Sequence, residues 1–140
     1  MDADTVTLRV GRMLAGAGVQ ANVTENGYRI FYGSTAVAVN IVDQKERVLV
    51  HLVAPLVLGV PNTPELAYWV AVEGQQMYFG AASLRPQEGG LADVFLEHTL
   101  LGDYLDEDEL HTAIGAVLST ANDWDDELQQ RFGGMRVEDL

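Results

Sequence analysis

Three histidines, His51, His98 and His111, are the only imidazoles in the chain. Imidazole is the side chain best suited to metal ligation and to proton transfer near neutral pH. No two of the three stand four residues apart, the spacing that puts a ligand pair on one helix face. No three-histidine site is expected. Carboxylates are more abundant, and two runs of them stand out. Asp103, Asp106, Glu107, Asp108 and Glu109 lack the turn glycine and spacing of an EF-hand loop. They suit a helix N-terminus, where capping and the helix dipole favour negative charge. Asp123, Asp125, Asp126 and Glu127 fall within two turns of one helix. Carboxylates so close repel one another, and a divalent cation would relieve the repulsion. The expectation is a solvated acidic face, with a metal site as its alternative.

Other chemistry is thinly represented. Gly16-Ala17-Gly18-Val19-Gln20-Ala21 has the outline of a dinucleotide fingerprint. That motif must follow a strand and open a helix, and here the context is reversed. Helix termination by glycine is the better account. There is no G-x-S-x-G and no P-loop, so no catalytic residue, cofactor or metal ligand is nominated. The absence of cysteine excludes disulfides and cysteine-based zinc sites.

Composition narrows the class further. A chain of 140 residues is expected to form one domain with a real core, and a hydrophobic fraction of 48% argues against disorder. The net charge of −13 opposes binding to nucleic acid and to anionic lipid. The opening residues, MDADTVTLRVGRML, carry acids before their apolar positions and do not read as a signal peptide. A cytoplasmic, bacterial protein is expected, with Lys45 as its only lysine.

The elements that must position these residues are organised around Arg47–Val60. At period two, one face of this run is Val48, Val50, Leu52, Ala54 and Leu56, and the other is Leu49, His51, Val53, Pro55 and Val57. Both are largely apolar, so an interior strand with cover on each side is expected. Before it come a helix capped by Asp4, an extended stretch from Val19 ending at Asn26-Gly27, and strands at Tyr28–Tyr32 and Thr35–Val42. After it come a helix opened by Thr63 and Pro64, with Trp69 as its anchor, and a hairpin of Met77–Arg85 with Ala92–Leu101. Gly80 marks a bulge or a close backbone approach there. A long final helix opens at Asp106 and stops at Gly133-Gly134. The order is α-β-β-β-α-β-β-α, an α/β (α+β) arrangement, with room for an additional short strand near Val19. One domain is expected over 1–134, with 135–140 a flexible tail.

This pattern resembles the YbjN family, in its actinobacterial branch, related in fold to the type III secretion chaperones (the Tir-chaperone-like group). The residues that carry the likeness are Glu25-Asn26-Gly27-Tyr28, Gly33-Ser34-Thr35-Ala36-Val37, Thr63-Pro64-Glu65-Leu66 and Phe79-Gly80. The C-terminal run adds His98 to Asp103, Leu105-Asp106, Glu109-Leu110, Ala121-Asn122-Asp123, Asp126-Glu127-Leu128 and Phe132-Gly133-Gly134. The second helix departs from the family, with Trp69 and Ala71 where asparagines are frequent. The resemblance implies a two-layer sandwich, one antiparallel sheet packed by helices, often dimeric. It also implies a non-enzymatic, chaperone-like binder of extended polypeptide.

Three functional readings follow. The first is a peptide-binding module acting as a homodimer, because a doubly apolar central strand needs more cover than three helices supply. Phe31, Val39, Leu52 and Trp69 are its candidate peptide or dimer surface. The second is a structural or adaptor subunit of a fixed complex. The third is a metal-dependent enzyme using Asp123–Glu127.

Overall fold

Strand β4 (Val48–Pro61) pairs on both sides, with β3 (Thr35–Asp43) and with β6 (Leu91–Leu101). The computed structural model describes residues 1–140. With β1 (Asn22–Thr24), β2 (Gly27–Tyr32) and β5 (Ala81–Pro86), these strands make one antiparallel sheet in the order β1-β2-β3-β4-β6-β5. Three helices complete the fold: α1 (Ala3–Gly16), α2 (Pro64–Ala71) and α3 (Glu107–Phe132). The expected order is found, and the short strand near Val19 is present as β1.

Local chemistry explains the boundaries. Asp2, not Asp4, caps α1: its backbone is extended and its Oδ1 accepts from Thr5 N–H at 2.8 Å. Asp4 is already in the first turn, where it complements the dipole. At the other end Val19 N–H donates to Leu14 O and Gly18 N–H to Ala15 O, both at 3.0 Å. This is the paired bonding of a Schellman stop, so the glycine-rich stretch terminates a helix. Thr63 Oγ1 accepts from Leu66 N–H and Asp106 Oδ1 from Glu109 N–H, as cap positions require. The first hairpin turns at Glu25-Asn26, one residue earlier than expected, and Gly27 is already in β2. β5 begins at Ala81 instead of Met77, because Glu73–Gln75 wind into a 3-10 turn after α2. Gly80 makes the close approach foreseen for it, since a Cβ there would lie 2.7 Å from Glu97 O.

All three helices lie on one face of the sheet and share one core. From α1 come Val6, Val10 and Leu14, from α2 Leu66 and Trp69, and from α3 Leu110, Val117, Ala121 and Leu128. They meet Val37 and Val39 of β3, Val50, Leu52 and Leu56 of β4, and Val94 and Leu96 of β6. Trp69 meets Trp124 edge-on, with ring centroids 5.2 Å apart. The expectation of cover on both sides of β4 is therefore corrected. Its Val48–Leu56 face is buried under the helices, while Leu49, His51, Val53 and Pro55 are half-exposed on a face that none of the three α-helices covers. Pro55 stands where the β4–β6 register shifts, a place in a sheet that tolerates a residue without N–H.

The two sheet edges differ. On β5 the Gln75 side chain donates to Ala82 O at 3.1 Å, and Pro86 has no N–H to offer. At the opposite edge β1 faces only Gly27–Arg29 of β2. Ile30–Tyr32 thus have β3 on one side and no strand on the other.

Residues 135–140, expected as a flexible tail, are seated against the sheet. Met135 and Leu58 exchange backbone hydrogen bonds of 2.8 and 2.9 Å, and Glu138 N–H donates to Ser34 O at 3.1 Å. The return depends on Gly134, whose φ is +84° and whose missing Cβ would lie 2.7 Å from Leu58 O.

Candidate functional site

A groove of about 650 Å³ lies on the sheet face opposite the three α-helices. Its floor is built by period-two alternation. Ala36, Ala38 and Asn40 of β3 lie beside His51, Val53 and Pro55 of β4, with Ala38 opposite Val53 and Asn40 opposite His51. Arg29 and Phe31 of β2 form one wall, and Phe95 of β6 with Arg85 of β5 the other. Val137 and Leu140 of the closing segment stand at its rim. Small side chains on the floor keep the groove open, and aromatic rings on both walls offer flat apolar contact.

Polar groups are placed around this apolar strip. The Arg85 guanidinium lies 4.1 Å over the Phe95 ring and 2.9 Å from Glu97 Oε1. His51 Nε2 is 3.1 Å from the same oxygen. Partial burial pushes the Glu97 carboxyl up, but the Ser83 hydroxyl and the charges of Arg85 and His51 outweigh it and hold it below the usual range. Arg29 is exposed and forms no ion pair.

Of the four residues expected at a peptide or dimer surface, Phe31 alone is on this face, 59% exposed. The expectation is corrected for the others. Val39 and Leu52 are 0% exposed and Trp69 1%, all in the helix-covered core. The sequence signal that separates the faces is the composition of β4. The uniformly apolar side belongs under the helices, and the side interrupted by His51 and Pro55 stays open. Ala38, Val53, Pro55 and Phe95 were missed because apolar strand residues read as core.

The other candidate chemistry is scattered. His98 faces the helices, edge-on to Phe79, and burial pushes its imidazole down. His111 lies on α3 with Nε2 3.1 Å from Met13 O. The run at Asp123–Glu127 does not converge. Asp126 pairs with Arg136 and Glu127 with Arg131, while Asp125 turns inward and is fully buried. No group of three or more His, Asp or Glu side chains is disposed to hold a metal ion. Asp125 Oδ2 is instead 2.6 Å from Ser34 Oγ, which also contacts Asn122 Oδ1 at 2.9 Å. This small polar knot ties the β2–β3 turn to α3.

Residues 3–140 match a protein-family model described as T3SS (YopN, CesT) and YbjN peptide-binding chaperone 1, TY-Chap1. The chain belongs to the TY-Chap1 family. The match takes in the seated segment after residue 134. Solved structures share the TY-Chap1 fold seen here. The type III secretion chaperone SycH of Yersinia pestis, in complex with a stable fragment of YscM2, aligns with a TM-score of 0.57 and 9% identity. That alignment covers 85% of this chain and 98% of SycH. YbjN from E. coli aligns at 0.61 with 13% identity, covering 89% of this chain and 92% of that one. A chain of the HopA1–SchA chaperone–effector complex aligns at 0.60 with 11% identity, over 90% and 98%. At such identities the likeness carries the fold alone. No curated protein sequence matches the chain.

Proposed function

We propose that this TY-Chap1 protein is a non-enzymatic chaperone that holds an extended client segment in the groove on its uncovered sheet face. One observation carries the reading: the face opposite the α-helices presents a part-exposed strip of Ala38, Val53 and Pro55 between Phe31 and Phe95, with Ala36 buried at its base. A monomer gains nothing by leaving such a strip to water, whereas an apolar peptide laid along it removes both surfaces from solvent. Ile30–Tyr32 lie at one wall with an unpaired strand edge, so a client can add backbone bonds to groove contacts. The chain carries its client as a homodimer in the cytoplasm, with neither nucleic acid nor membrane as partner. Tyr68 of α2 and Val72 at its C-cap, 67% and 38% exposed and one helical turn apart, supply the dimer surface away from the groove. No helix is long and apolar enough to cross a membrane.

The test is a cellulose-bound array of 12-residue peptides, probed with the parent and with Phe31→Asp and Val53→Asp. The parent is expected to mark a subset rich in apolar residues, and both variants to lose it. Leu8→Asp, on the exposed side of α1, is the control and keeps the pattern. An array that the two groove variants mark as the parent does would place the site elsewhere. A blank array for the parent would end the peptide-binding reading and leave a folded partner, as in an adaptor subunit.

A further inference from the structure

The groove differs in charge from the molecule that carries it. The chain has 21 acidic and 8 basic residues, yet the groove is lined by Arg29, Arg85 and His51 and by no Asp or Glu side chain. Glu97, beside it, engages Arg85 and His51. Arg29 is left without a counter-charge. An unpaired guanidinium beside an apolar strip favours a carboxylate that arrives with apolar neighbours.

A short segment of this chain, apolar residues around two acids, is already there as a 3-10 turn over Val137–Asp139, its carboxylates turned to Arg136 and not to Arg29. Val137 and Leu140 line the groove, with Glu138 and Asp139 between them in sequence. The segment is held by the Met135 bridge, by one backbone bond from Glu138 to Ser34, by Gln129 Nε2 donating to Gly134 O and Asp139 Oδ2, and by ion pairs of Arg136 with Asp126 and Asp139. Leu140 is 74% exposed even in place. The segment therefore sits in the groove without filling it.

We propose that the groove selects extended segments in which apolar side chains flank carboxylates, and that Val137–Leu140 is the chain's own occupant, displaced when such a client binds. The inference rests on the peptide-binding reading and deepens it by naming the chemistry of the client. Arg29 is the residue that reads the carboxylate, and the seated segment sets the threshold a client must exceed.

The probe is the labelled peptide MRVEDL, residues 135–140 of this chain, with MRVKKL as its charge-swapped counterpart. Binding is followed by fluorescence anisotropy on the full chain, on Val137→Ser/Leu140→Ser, and on Arg29→Glu added to that double variant. The double variant is expected to bind MRVEDL roughly 10-fold more tightly than the parent and to discriminate against MRVKKL by a similar factor. Arg29→Glu is expected to abolish that discrimination. Equal affinity of parent and double variant would overturn the occupancy, and equal affinity for the two peptides would overturn the charge selection. Thermal melts confirm that each variant is folded, and Arg136→Ala gives a second route to release if the double variant is not. A positive peptide array with either negative result sinks this inference alone. A blank array with no anisotropy change sinks the peptide-binding reading as well.

Discussion

Replacing Asp125 by asparagine should remove a pH dependence from the stability of this fold. The Asp125 side chain is fully buried, with Oδ2 2.6 Å from Ser34 Oγ and Oδ1 without a partner. Asn122 Oδ1 accepts from Ser34 N–H at 2.9 Å and also lies 2.9 Å from Ser34 Oγ. A hydroxyl has one proton to give. It satisfies both neighbours only if Asp125 is itself protonated and donates to Ser34 Oγ, which then donates to Asn122. Burial raises the Asp125 pKa; the Ser34 hydrogen bond opposes this, and the Asp126 charge adds to the rise. A carboxyl with a raised folded-state pKa keeps its proton longer when folded than when unfolded. Its contribution to stability is complete below the unfolded value, near 3.8, and is lost as pH rises through the folded one. Each pH unit between the two costs about 1.4 kcal/mol. An asparagine has no proton to lose, and its amide can donate to Ser34 Oγ in the same place. Urea unfolding is read by tryptophan fluorescence, since Trp69 is buried and Trp124 packs on it. The Asn variant should gain on the parent as pH rises from about 3.8 through the folded-state value of Asp125, and hold that gain at higher pH. His98, whose pKa is lowered by burial, makes both proteins more stable as pH rises toward 6.5, and cancels in the difference. Parallel pH profiles, or an Asn variant less stable than the parent at about pH 8, would show that Asp125 is folded as the anion.

Val39→Asp should unfold the chain instead of yielding a soluble monomer, because it places a carboxylate at 0% exposure among Ile30, Leu52 and the helices, at a cost of several kcal/mol. Loss of far-ultraviolet circular dichroism checks this, and a folded variant would refute the placement of Val39 in the core. Gly134→Ala should leave the core intact and unseat Met135–Leu140, since the residue holds φ +84° against Leu58 O. Trypsin cleavage after Arg136 should then accelerate while the main thermal transition moves by no more than a few degrees, about 1 kcal/mol in a domain of this size; unchanged cleavage would show that the segment tolerates a Cβ there.

Much of the fold was legible because its signals are local. Thr63 and Pro64 announce α2, Asp106 announces α3, and the alternation of Thr35–Val42 announces β3. The errors at Asp4, Met77 and the 3-10 turn lie at element ends, where caps compete within a few residues. The site was harder to read. Sequence showed that β4 has two apolar faces, but not which one the helices take. That choice belongs to the packing of α1, α2 and α3 into a single core, and it moved Val39, Leu52 and Trp69 from surface to interior. The inward turn of Asp125 was hidden for a similar reason: in sequence it stands in an acidic run, and only the approach of Ser34 from another element distinguishes it. The seating of Met135–Leu140 depends on partners at Ser34, Leu58 and Asp126, distant in sequence, so no local pattern marked it.

The unequal sheet edges bear on how such a protein remains a discrete particle while handling exposed polypeptide. With Gln75 seated on Ala82 and Pro86 lacking a donor, β5 resists a new strand, whereas Ile30–Tyr32 can accept one. Growth of a ribbon needs two joinable ends on every unit, as a linear polymer needs bifunctional monomers. A unit with one joinable end behaves as a chain stopper. Strand addition can couple it to a single client, or to one copy of itself, and the sequence of additions then halts.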